Sequence, residues 1–293
     1  MMWRGFPAAL AAPVFVVLWS TGFVVARLAE KHAAALDFLC LRLGITALVL
    51  AFWAVWVRAP WPSRRIFGHL VVAGLLVQAS YLGGVWLAIE GGMPAGLTAL
   101  IVNLQPVLTA MVAPWWLAER IVPKAWVGLL LGFAGVAMVV AHRMAADSLR
   151  GGSLLYCLLA LFGITAGSLW QKRFLPAFDL RTGTCIQYAA SLFVLVPLAI
   201  VFDRRPVVWH PEMIGALLWS VFGLSIGAIF LMFLLIRRGE ATRIASLFYL
   251  VPPTTAWMAW VLFDEGFGMV AALGMLVTAL GVWLVQTNRA QPS

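Results

Sequence analysis

Few residues in this sequence could do chemistry, because most of it is hydrocarbon. Arg42 has the least ordinary address, about five positions into an apolar run over 37–57. A cation carried to the centre of a bilayer there costs roughly 2.5–3.5 kcal/mol on insertion scales. A guanidinium grips a carboxylate through two parallel N–H donors, so Arg42 reads as an anchor for an acid group. It reads equally as a side chain that snorkels to the nearby interface or pairs with Asp37 one turn away.

Uncharged polar and aromatic groups recur in the other apolar runs. Trp19 and Ser20 fall in 9–28, Gln78, Ser80 and Tyr81 in 69–89, and Thr98, Asn103, Gln105 and Thr109 in 94–117. Ser168, Trp170 and Gln171 fall in 153–171, Tyr188 in 182–202, and Ser246 and Tyr249 in 241–263. Asn103 and Tyr249 stand 146 residues apart, the interval of an internal repeat, and an uncharged donor–acceptor pair of this kind facing one cavity suits a zwitterion with an ammonium and a carboxylate. Trp19, far from either end of its run, suits a wall for an apolar or aromatic side chain. The candidate substrate contacts are therefore Trp19, Arg42, Gln78, Tyr81, Asn103, Trp170, Tyr188, Ser246 and Tyr249. The competing use of such groups is hydrogen bonding between helices, typically about 0.6 kcal/mol each. Trp170, close to Lys172, also fits a membrane interface. Pro106, Pro252 and Pro253 remove backbone hydrogen bonds and mark places where a helix kinks, statically or as a hinge.

Other chemistries find no support. His32, His69, His142 and His210 are scattered with no metal-site spacing, so no metal and no cofactor are expected. No phosphate-cradling Gly-rich loop, His-Glu-x-x-His or Gly-x-Ser-x-Gly is present. A membrane-embedded lipid-modifying enzyme would need acids, His or Cys gathered at one interface, and the sequence offers no such cluster. Cys40, Cys157 and Cys185 sit in apolar runs as small hydrophobes. No enzyme chemistry is expected.

The elements that must position these groups follow from composition. Of 293 residues, 63% are hydrophobic and 11% charged, and the mean hydropathy is +0.99. Soluble domains run at roughly 45–50% apolar and about 25% charged, and a core of this size cannot hide the excess. A soluble enzyme, a disordered chain and a disulfide scaffold are excluded. Apolar runs near 9–28, 37–57, 69–89, 94–117, 124–141, 153–171, 182–202, 213–236, 241–263 and 268–286 predict ten membrane spans. All must be helical, since lipid offers the backbone no hydrogen-bond partner. The first follows Arg4 with no small-residue cleavage site and reads as a span, not a signal peptide.

Charge gives orientation. The net charge of +9 contains no basic run of nucleic-acid type, only pairs such as Arg64-Arg65 and Arg204-Arg205. Sorted by loop, 13 Lys and Arg lie on the side of the termini and 6 on the other, with Arg42 inside a span. Both termini are expected in the cytoplasm of a bacterial inner-membrane protein. Expected partners are a small-molecule substrate and membrane lipid, with no nucleic acid, for a monomer or weak homodimer.

The chain also repeats. Shifted by 146, residues 95–139 match 241–285 at 14 of 45 positions, with Pro106 on Pro252, Glu119 on Glu265, Gly128 on Gly274 and Gly135 on Gly281. This predicts a duplication into 1–147 and 148–293. Five spans per half is an odd number, so the halves enter the membrane in opposite senses. Such inverted repeats are the build of secondary transporters, with the site near the midplane between them.

The elements Asn103-Leu-Gln-Pro106…Glu119 and Tyr249-Leu-Val-Pro252-Pro253…Glu265 are each followed by a glycine-spaced helix (Gly128, Gly132, Gly135; Gly274, Gly281). In this the chain resembles the EamA-type transporters of the drug/metabolite transporter superfamily over essentially its whole length. It is similar to bacterial inner-membrane exporters of amino acids and related metabolites, the aromatic amino-acid branch included. The resemblance implies export by alternating access, with a cavity walled by helices 1, 3, 4, 6, 8 and 9 and with helices 5 and 10 as outer scaffold. The first span lacks the glutamate that small multidrug exporters of the superfamily use for cation and proton, which disfavours that mechanism. Phosphorylated substrates such as nucleotide sugars would call for several buried cations. Neutral or zwitterionic metabolites remain, amino acids with hydrophobic or aromatic side chains foremost. Exporters or exchangers of nucleotide sugars, cationic drugs or other metabolites stay open as the alternative.

Overall fold

The computed structural model describes residues 8–116, 123–145, 151–175, 178–202, 205–228, 231, 248–264, 266 and 268–287. Every regular element among them is helical. We number them α1 (Ala8–Ala29), α2 (Ala35–Trp56), α3 (Arg64–Glu90), α4 (Ala95–Val102, then Gln105–Trp116) and α5 (Pro123–Ala145). The second half of the chain gives α6 (Gly151–Phe174), α7 (Leu180–Phe202), α8 (Pro211–Ala228), α9 (Val251–Phe263) and α10 (Met269–Thr287).

Six of these carry stretches long and apolar enough to cross a membrane: α2, α3, the first 18 residues of α4, α6, α7 and α8. Shorter apolar helices cover Pro13–Ala29, Trp126–Ala141 and Met269–Leu284. The exposed surface has the polarity that a lipid solvent demands: Phe193 is 83% exposed and Leu48 73%. Trp56, Trp115, Trp126 and Trp209 also stand outward. One boundary differs clearly from the apolar runs. α3 begins at Arg64, five residues before the apolar run, because Arg64 and Arg65 continue the helix past the hydrocarbon with their charges exposed. Within the predicted run 241–263, a 3-10 turn over Phe248–Leu250 leads directly into α9 at Val251. Glu119, Ala241, Ala245, Ser246 and Glu265 lie outside the described residues.

Two irregularities recur at the repeat interval. α3 is π-helical over Leu75–Leu82 and α8 over Trp219–Ala228. Shifted by 146, the first segment falls on 221–228, inside the second. π turns add a residue per turn and mark functional sites more often than chance. Likewise α4 breaks at Asn103-Leu104 and resumes at Gln105, 146 residues before α9 begins.

Packing follows the same correspondence. α2 lies against α7, α4 against α9 and α5 against α10, each helix against the one that aligns with it, while α3 packs on α6 as α8 packs on α1. Small residues permit these approaches. A Cβ at Gly163 of α6 would stand 2.6 Å from the Leu76 carbonyl of α3, and one at Gly135 of α5 would stand 2.6 Å from the Gly274 carbonyl of α10. α5 and α10 make their most extensive contact with each other. One apolar cluster from Phe23 to Val282 runs through the bundle, α5 and α10 included, with Phe38 and Trp86 stacked at 4.5 Å.

Candidate functional site

The charge at Arg42 is turned into the bundle. Its side chain belongs to α2 and is only 6% exposed. Among the described residues it is the one charged side chain that is buried. Its Nε donates to Ser225 Oγ on α8 at 3.1 Å, so in this structure the chain does not run out to an interface. Ser225 is also hydrogen-bonded to the phenol of Tyr188, a buried residue of α7. The guanidinium charge acts on both Tyr188 and Tyr81, the latter half-buried on the π segment of α3.

Four helices thus contribute one group each to a cluster of a cation, two phenols and a hydroxyl. The fold places each for a reason. Thr46 bonds back to the Arg42 carbonyl at 2.7 Å within α2. The π segments of α3 and α8 carry Tyr81 and Ser225. Arg42 Nε is committed to Ser225, and the guanidinium has four further N–H donors. An acid group held there would meet a charge-assisted donor in a low-dielectric interior, where such bonds are roughly twice as strong as neutral ones.

The remaining predicted contacts fall in three other places. Trp19 of α1 packs between Phe15, at 5.5 Å, and Phe248, edge-on at 5.2 Å, while the neighbouring Ser20 hydroxyl donates to the Val251 carbonyl at 3.4 Å. This aromatic patch joins α1 to the turn that opens α9. Asn103 sits at the break in α4 and turns its amide back to the Ala99 carbonyl at 2.8 Å. With Leu100, Pro252 and Pro253 it lines an apolar cavity of about 300 Å³ closed on the far side by Met275 and Thr278 of α10. Trp170 of α6 donates to the His69 carbonyl at 3.2 Å and packs on Phe174 at 4.4 Å, tying α6 to the start of α3. Gln78 lies half-buried on the same π segment as Tyr81.

Pro252 and Pro253 stand in the first turn of α9, where a missing N–H breaks no helical bond. Pro106 takes the matching position in the second half of α4. The expected pairing of Asn103 with Tyr249 across one cavity, and any contact of Ser246, lie outside the described residues, as does the Tyr249 side chain.

Two groupings escaped sequence reasoning. Ser225 is one hydroxyl in an apolar run, and only the contact with Arg42 singles it out. The other is at one end of the bundle, where the α1–α2 turn, the α3–α4 turn and the loop before α8 meet. Arg205 pairs with Glu90 and donates to the Glu30 carbonyl at 3.3 Å, and Val208 N donates to the His32 carbonyl at 2.8 Å. There His32, His210 and Glu212 come within 4.8 Å of one another, ligand atom to ligand atom. The sequence separates His32 from His210 by 178 positions, so no spacing motif could reveal them.

Comparison with known proteins agrees with this architecture. The sequence model of the EamA-like transporter family matches the chain twice, over residues 6–141 and 152–287. An uncharacterized transporter of Archaeoglobus fulgidus is 25% identical over 289 residues, covering 94% of this chain and 96% of its own. A probable amino-acid metabolite efflux pump of Escherichia coli is 23% identical over 282 residues, covering 93% and 92%. A solved crystal structure shares the fold at a TM-score of 0.64 and 16% identity, over 94% of this chain and 96% of that one.

Proposed function

This chain belongs to the EamA-like transporter family, and we propose that it exports small neutral or zwitterionic metabolites, amino acids with hydrophobic or aromatic side chains foremost. The observation that carries this reading is the buried Arg42, held by one hydroxyl beside two phenols and, among the described residues, with no second buried cation. One fixed positive charge neutralises one carboxylate. The phenols of Tyr81 and Tyr188 add uncharged polar contacts and ring faces for an apolar side chain. A diphosphate of the nucleotide-sugar type carries more charge than this cluster balances. The printed name of the Escherichia coli relative, a probable amino-acid metabolite efflux pump, points the same way.

The proposed mechanism is alternating access by two inverted five-helix repeats. It is supported by the two family matches, by the 146-residue correspondence of π segments and helix breaks, and by each of α2, α4 and α5 packing on its own counterpart. Arg42 and Tyr188, equivalent under that shift, then flank the axis that relates the repeats, where rocking of one against the other changes least. The loop charges, 13 against 6, orient both termini to the cytoplasm of a bacterial inner membrane. Proteoliposomes loaded with labelled amino acids, and in parallel with nucleotide sugars and a cationic drug, test the substrate class. Efflux of amino acids that disappears in Arg42→Gln is expected. Movement of a nucleotide sugar or drug with no movement of any amino acid would overturn the reading.

A further inference from the structure

We infer that His32, His210 and Glu212 form a site for one divalent transition-metal ion, best suited to Zn2+, which clasps the α1–α2 turn to the start of α8. The site shares no residue with the Arg42 cluster and stands independently of the substrate reading. His210 is the N-cap of α8 and Pro211 its first helical residue, so His210 and Glu212 are set on one turn. His32 is brought in from the α1–α2 turn, which the Val208 N to His32 O bond of 2.8 Å holds against the loop preceding α8.

The three side chains are arranged as ligands. His32 Nε2 is 2.9 Å from Glu212 Oε2. The His32 and His210 rings stack with centroids 4.9 Å apart and planes 6° from parallel, so one ring must turn for both in-plane lone pairs to reach one ion. His210 Nδ1 accepts from Glu212 N at 3.3 Å, a bond that the same turn would release. Zinc takes His nitrogens at about 2.0–2.1 Å and carboxylate oxygens at about 2.0–2.2 Å, which sets tetrahedral ligand atoms roughly 3.3–3.5 Å apart. The His32 Nε2–Glu212 Oε2 pair, at 2.9 Å, is closer than that and would open by a few tenths of an ångström around an ion, and all three donors lie within 4.8 Å. Three protein ligands leave the fourth position to water.

The donor set selects the ion. Two imidazoles and one carboxylate favour Zn2+, Cu2+ and Ni2+ over Mg2+ and Ca2+, which prefer oxygen. Glu212 repels anions from the same spot, and the nearby Lys31 is exposed, where water and salt screen it. Bound metal joins segments that the Arg205–Glu90 pair already holds together at this end of the bundle.

The test uses the full chain in detergent, with any affinity tag removed and with prior EDTA treatment, titrated calorimetrically with Zn2+. One Zn2+ per chain is expected, with no heat from Ca2+ at the same concentration. His210→Ala and Glu212→Gln should each weaken binding by at least about tenfold, the scale on which metal-site substitutions act. His32→Gln, which keeps size and polarity, serves if His210→Ala does not elute as a folded species. Less than half an equivalent of Zn2+ on the native chain overturns the site. So do variants that elute normally and titrate as the native protein does.

Discussion

Arg42 and Tyr188 stand 146 residues apart, the interval of the internal repeat, and in the folded chain both engage the same hydroxyl, that of Ser225. A cation and a phenol thus share one hydroxyl, and the guanidinium charge acts on the phenol. Under the two-fold pseudosymmetry proposed above, the axis is where equivalent positions touch. Divergence at that place makes an asymmetric site from a symmetric scaffold, and a zwitterion is an asymmetric ligand.

The first prediction concerns that hydroxyl. Ser225→Ala removes the acceptor that fixes the Arg42 Nε and leaves the charge in place. A hydrogen bond to a charged group contributes about 1.5–3 kcal/mol, so amino-acid efflux should fall by about tenfold or more if the orientation of Arg42 matters in transport. Arg42→Lys keeps the charge but loses the bidentate fork, and it should not restore native flux. Native efflux in both variants, measured in proteoliposomes, would remove the cluster from the transport path.

Trp19 gives a prediction about selectivity. Its ring lies between Phe15 and Phe248, and a face within this patch suits an aromatic side chain. Trp19→Leu keeps apolar volume and loses the ring, so competition by aromatic amino acids should weaken more than competition by leucine. Aromatic contacts of this kind are worth about 0.5–1.5 kcal/mol, which corresponds to a shift of several-fold to about tenfold in the inhibition constant. Equal weakening for both classes would mean that Trp19 only packs α1 against α9.

Packing between α5 and α10 separates scaffold from site. A Cβ at Gly135 would meet the Gly274 carbonyl and the Thr278 backbone, neither of which can swing aside. Gly135→Ala gains helix propensity yet should lower thermal stability, since overpacking costs about 1–3 kcal/mol. Gly215, on an exposed face of α8 with open space around its Cα, is the control. Gly215→Ala should stabilise by about 0.5–1 kcal/mol. Melting curves in detergent that rank the two variants the other way round would contradict the close α5–α10 approach.

These positions also show what a linear sequence can and cannot disclose. Hydropathy and length fix where helices lie because lipid solvates only hydrocarbon. Pro106 and Pro252, 146 residues apart, foretell where α4 resumes and where α9 begins. Arg42 was conspicuous for its cost in an apolar run. Its partner Ser225 was not, since a serine costs little anywhere in a helix. The start of α3 at Arg64 was missed because two exposed arginines look like loop to a hydropathy window. The His32–His210–Glu212 group is a product of tertiary contact alone: each member lies between apolar runs, and only the packing of α1 and α2 against α8 brings them together.

The last prediction is one of pH. Asp179 precedes α7 and caps it, its Oδ1 accepting from Arg181 N at 2.9 Å and from Arg181 Nε at 3.0 Å, its Oδ2 from Arg181 Nη2 at 2.6 Å. The side-chain bonds from Arg181 hold the carboxyl below the ordinary carboxylate range. A depressed folded-state pKa means that the unfolded chain binds the proton more readily. The stabilisation is therefore full above the unfolded value of about 3.9 and is lost as pH falls through the lower folded value. Asp179→Asn keeps a cap but no charge, so it isolates this contribution, which at the N-terminus of a helix amounts to about 0.3–1 kcal/mol. The melting temperatures of native chain and variant should differ at pH 7 and begin to converge as pH falls below about 3.9, the unfolded value. A difference that stays constant over that range would show that the Asp179 charge plays no part in holding the start of α7.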